Sequence, residues 1–102
     1  AGDPFAATTV VFALSKNLAR WGALFSAAPA RRDLLEDLSG GIRISKLLPF
    51  EVQLWRVQNM FYNLMLTVYP RMQNRAATGD EEARAWVDAF RTLGARLSVR
   101  VS

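Results

Sequence analysis

The chain contains no cysteine and no histidine. Without cysteine it can form neither a disulfide nor a thiolate metal site, and it offers no thiol nucleophile. Without histidine it lacks the commonest general base near neutral pH and the commonest metal ligand. Lysine is scarce as well, since eleven of the thirteen basic residues are Arg. With the many alanines, that skew reads as a GC-rich coding bias. The bases are scattered, Arg31 and Arg32 being the one adjacent pair, so nucleic acid is not expected as a partner. No charge-free run, residues 4–15 and 57–70 included, reaches the ~20 apolar residues that cross a bilayer. No membrane span is expected. Residues 10–28 imitate a secretory leader, but no positive segment precedes them and Lys16 and Arg20 interrupt them. A cytoplasmic protein without a signal peptide is the expectation.

What is present suits a small helical domain. About half of the 102 residues are apolar and 22% are charged, which is ordinary for a globular chain. Residues 1–102 are therefore expected to form a single domain with one modest core. The densest apolar stretch runs over 50–69, between Pro49 and Pro70. At about 100° per residue, Val52, Trp55, Tyr62, Leu66 and Tyr69 fall on one side of it, while Phe50, Leu54, Val57, Phe61, Leu64, Met65 and Val68 cover another. Gln53, Arg56, Asn63 and Thr67 form its polar stripe, with Met60 inside that stripe. Such a helix, apolar over most of its circumference, is expected to be buried at the centre of the fold.

Two further long helices are predicted, over 9–27 and 79–97, with a short one over 31–38. The first carries Val10, Val11, Leu14, Leu18, Trp21, Leu24 and Phe25 at three-and-four spacing, with Lys16 and Arg20 opposite. The last starts at Thr78-Gly79-Asp80-Glu81, where Thr78 and Glu81 fit a capping box, and presents Ala83, Trp86, Val87, Phe90 and Leu93 inward. Gly40-Gly41 is expected to stop the short helix. Ile42-Arg43-Ile44-Ser45 and residues 98–101 alternate apolar and polar, so two short extended segments at 42–45 and 98–101, paired with each other, are expected. Tyr69-Pro70 is expected to end or kink the central helix. The fold class is thus all-α, an irregular bundle of three long helices and one short one.

For chemistry there is little material. Asp33, Glu36 and Asp37 share a helix face, and Asp80, Glu81 and Glu82 crowd a helix start, where acids have a structural cause in the helix dipole. The serines sit in no nucleophile turn, and no histidine is at hand to activate them. No catalytic residue, no metal site and no cofactor is expected. The residue that calls for an explanation is Asn59. By angle it falls among Val52, Trp55 and Tyr62, where a buried amide must find hydrogen-bond partners. It either bonds a loop carbonyl near Leu47-Leu48, or lines a polar pocket with Trp55 and Tyr62 beside Arg56, or faces solvent. Trp55, Arg56, Asn59 and Tyr62 are accordingly the candidate pocket or interface residues.

Residues 48–62, with their string Leu54-Trp55-Arg56-Val57-Gln58-Asn59, together with 79–87 and 93–101, resemble the helical C-terminal region of bacterial family-57 glycoside hydrolase-like proteins. That resemblance implies a C-terminal accessory piece of a longer, α-glucan-active protein. It carries over no catalytic residue, since the family's catalytic acids belong to its barrel domain. From the residues themselves, a non-catalytic helical module that packs against another chain or domain, or against a second copy, is the expected function.

Overall fold

The computed structural model describes residues 4–49 and 52–99, with side chains for Thr9 and from Val11 onward. Among these residues the chain is all-helical, with five helices: α1 (Pro4–Ala27), α2 (Arg32–Lys46), α3 (Trp55–Thr67), α4 (Tyr69–Ala77) and α5 (Glu81–Arg96). The expected count of three long helices and one short one is thereby corrected.

Each boundary has a local cause. Pro29 follows α1 and cannot extend it, so residues 28–31 turn the chain into α2. Pro70 divides the expected central helix, because it supplies no N–H to the ladder and instead takes the first turn of α4. Both α4 and α5 end in a Schellman motif. After α4 the Gly79 N–H donates to the Ala76 carbonyl and the Asp80 N–H to that of Arg75, with Gly79 at φ 96°. After α5 the Ser98 N–H donates to Ala95 and the Val99 N–H to Gly94, with Ser98 in the left-handed region at φ 60°. That reversal buries Val99 against the core.

The start of α5 differs from the expected capping box. Asp80, not Thr78, is the cap, and its carboxylate accepts the Ala83 N–H at 3.1 Å. The Gly79 reversal leaves Asp80 as the extended residue before the helix, while the Thr78 hydroxyl turns back to the Arg75 carbonyl. The Ala83 N–H, aided by the Arg75 guanidinium, holds the Asp80 carboxyl below its ordinary pKa.

The expected stop at Gly40-Gly41 does not occur, and 42–45 is the last part of α2 rather than an extended segment. Leu38, Ile42 and Ser45 all lie buried on one side of this helix, and burial at that spacing outweighs the roughly 1 kcal/mol handicap of each glycine. At the other end, Ser98 and Val99 form a turn, with no strand among the described residues. Arg100 and Val101 lie outside them.

The helices close a ring around the core. α1 lies against α2 and α3, α2 against α5, α5 against α4, and α4 continues α3 beyond a bend at Val68. Inside, Phe90 of α5 stacks on Phe61 at 4.2 Å, on Trp86 at 4.8 Å and on Tyr69 at 5.2 Å between centroids, and Phe25 of α1 meets Trp86. Polar pins join the ring. The Trp86 Nε1–H donates to the Pro29 carbonyl at 2.6 Å, and Arg96 Nη1 donates to both the carbonyl and the hydroxyl of Ser39. Gln58 Nε2 donates to the Leu97 carbonyl, and Arg91 Nε to the Tyr69 hydroxyl. No buried side-chain nitrogen or oxygen among the described residues lacks a partner, as a settled core requires.

The molecule is long for its size. Its extents are 56 × 21 × 20 Å and its radius of gyration is 14.9 Å, against about 13 Å for a compact chain of this length. No helix among the described residues is long and apolar enough to cross a membrane.

Candidate functional site

The helix expected at the centre of the fold is a surface helix. Only Val57, Phe61 and Leu64 of α3 are buried, at the i, i+4, i+7 spacing of one narrow face. The stretch before it is not helical: residues 52–54 are extended or turning, held by the Gln53 N–H on the Ser15 hydroxyl at 3.2 Å. Phe50 and Glu51 lie outside the described residues. With Phe61 fixed by its stack on Phe90, the rotation of α3 is settled, and the face half a turn away points out. That face carries Trp55, Asn59, Tyr62 and Leu66. Trp55 is 54% exposed, Tyr62 49% and Leu66 75%.

Asn59 is exposed as well, so it neither bonds a loop carbonyl from a buried position nor lines an enclosed pocket. Of the three places open to it in the sequence, solvent is the one it takes. Arg56 stands beside the row, with its guanidinium carbon 5.3 Å from the Trp55 ring centroid. A cation over an exposed indole contributes about 0.5–1 kcal/mol and holds both side chains in place. The four candidate residues are therefore brought together, but on an open ridge.

Two depressions meet this ridge at Trp55. One, of about 340 Å³, is lined by Ser45, Lys46, Gln53, Trp55 and Gln58 where the end of α2 faces the start of α3. The other lies between α1 and α3, where Phe12, Ser15 and Lys16 face Trp55 and Arg56. Phe12 is 69% exposed. Sequence reasoning passed over it because it stands off the three-and-four stripe of α1, and that offset is itself the signal of an outward position. Leu66 shares the side of Trp55 and Tyr62 that its spacing predicts, but it is exposed rather than buried. Met60, an oddity within the polar stripe, is half-buried against α1, and a methyl group at Gly22 would lie 3.6 Å from its terminal carbon.

The acidic clusters serve structure. Asp33 pairs with Arg31 at 2.6 Å, Arg32 lies between Glu36 and Glu82 at 3.7 and 3.3 Å, and Asp80 pairs with Arg75 at 2.8 Å. The carboxyls of Asp33 and Asp80 move in the direction opposite to that of a general acid near neutral pH. The Arg31 side chain lowers the pKa of Asp33, as the Ala83 N–H lowers that of Asp80. No group of three or more potential metal ligands occurs among the described residues.

No protein-family model matches the chain, and neither a curated protein nor a solved structure does.

Proposed function

We propose that this chain is a non-catalytic helical module that docks on another protein chain or domain through the outer face of α3 and the adjoining side of α1. The observation that carries this reading is the row of Trp55, Tyr62 and Leu66 along one helix face, with Asn59 among them, each of the three about half exposed or more. Single exposed apolar residues are normal, whereas three on one helix face, a tryptophan and a tyrosine among them, have the composition of an interface centre. Asn59 and Arg56 supply the polar contacts that give such a face its register.

Photo-crosslinking in the producing cell tests the proposal. With benzoylphenylalanine placed at Trp55 or Tyr62, a discrete heavier adduct is expected; with the same group at Arg84, an exposed position of α5, none is. Equal labelling at all three positions, or no adduct at any, would overturn it.

A second reading keeps the chain as a C-terminal accessory region of an α-glucan-active, glycoside hydrolase-like protein. In its favour are the open ring of Trp55, with Asn59 and Arg56 to bond sugar hydroxyls, and the polar depression beside it. A saturable change of Trp55 emission with maltohexaose supports this reading, and an unchanged emission removes it.

A further inference from the structure

The docking reading above leaves the chemistry of the partner open, and the distribution of charge around α1 narrows it. The helices α1, α3 and α4 carry Lys16, Arg20, Arg56, Arg71 and Arg75 and not one acid. The acids of the described residues lie in α2, in α5 and at the Asp80 cap. Three of the five cations, Lys16, Arg20 and Arg56, line two adjoining depressions between α1 and α3, which share Lys16, Ala19 and Arg56 and together make a groove. None of them belongs to any of the four ion pairs found among the described residues.

Between the cations the lining of the groove is largely apolar, with Ser15, Asn17, Ser26 and Gln53 as the polar exceptions. Gly22, Ala23 and Met60 line it where the two helices touch, and Phe12 and Trp55 stand at its open end. Its length follows from α1. From Phe12 to Ser26 the helix rises about 21 Å, or roughly four turns. A concave seat of that length, apolar within and cationic along its rim, has the form that takes the apolar stripe of one further helix. Three cations along the rim select a helix whose flanks are acidic and disfavour one whose flanks are basic. Other surfaces fit less well. A bilayer is flat and does not enter a groove, and three cations are few for a phosphate backbone.

We infer that the α1–α3 groove receives an amphipathic helix of about four turns from a partner protein, with acidic residues flanking its apolar stripe. This inference rests on the docking reading and adds to it the fold and charge of the partner. Lys16 and Arg56 are its selecting residues.

The test uses the full chain and two labelled model helices of about four turns, both with leucines at three-and-four spacing. One carries Glu along both flanks and the other carries Lys. Fluorescence anisotropy is expected to show saturable binding of the Glu helix, weakened by salt, with the Lys helix bound at least about tenfold more weakly. The variant with Lys16→Glu and Arg56→Glu is expected to reverse that preference. Both positions are exposed, and an unchanged circular dichroism spectrum and melting temperature establish that the variant is folded. Equal binding of the two helices, no binding of either, or a preference that survives the double reversal would overturn the inference. So would binding to phosphatidylserine vesicles without binding to the Glu helix, or a concentration-dependent dimer that the double reversal abolishes. Crosslinks at Trp55 without binding of the Glu helix would refute the partner chemistry and leave the docking reading standing, while the absence of both would refute the two together.

Discussion

Replacing Phe90 by alanine is expected to cost about 3–5 kcal/mol of folding free energy. Phe90 is wholly buried and stacks on Phe61, Tyr69 and Trp86 at once. Through these rings it joins α5 to α3 and to α4. Truncation removes the transfer free energy of the ring and leaves a cavity that three rigid aromatic neighbours cannot refill. Domains of this size have only about 5–15 kcal/mol in hand, so the melting temperature should fall by more than about 10 °C. Urea denaturation followed by circular dichroism provides the check. A loss below about 1 kcal/mol would mean that the aromatic stack does not organise the core.

The second large effect concerns two adjacent glycines in the middle of α2 and has opposite signs at the two positions. A methyl group at Gly41 would lie 2.8 Å from Trp21 Cζ3 and 2.9 Å from Leu18 Cδ2, so the crossing of α1 over α2 must open to admit it. Gly40 meets nothing within 4 Å. Gly40→Ala should therefore gain the helix propensity of alanine, about 0.5–1 kcal/mol. Gly41→Ala has the same gain, but overpacking against a buried leucine and an indole costs typically 1–3 kcal/mol. A net loss of about 1–2 kcal/mol is expected. Equal stabilisation by both substitutions would show that α1 does not cross α2 closely at this point.

Those glycines also mark where the sequence ceases to be legible. Gly-Gly after a short amphipathic run is a fair stop signal, because local propensity favours an end there. What keeps the helix going is the arrival of Leu18 and Trp21 from α1, a contact between residues some twenty positions apart. The same holds for α3. Its apolar residues occupy both sides of the helix, so periodicity cannot tell which side is buried. Phe90, supplied by a helix that begins 14 residues after α3 ends, makes that choice. By contrast the end of α1, the inner face of α5 and the break at Pro70 follow from spacing and backbone chemistry alone. The Thr78-to-Glu81 spacing imitates a capping box and hides the reversal at Gly79. Asn59 held a usable hint about the site. A lone amide on the side of Trp55 and Tyr62 fits an outward face at no cost, whereas a buried one has to find hydrogen-bond partners.

The account turns on that outward face, and acrylamide quenching of tryptophan fluorescence reads it directly. The chain has three tryptophans, of which Trp86 is 1% exposed. In a Trp21→Phe background two classes of emission are expected, one readily quenched and one protected. Adding Trp55→Phe should abolish the quenched class and leave the protected one intact. A single protected class in the Trp21→Phe chain, measured on a monomer, would contradict the account. It would mean that Trp55 is packed inside the isolated chain and that α3 has no free face with which to meet a partner.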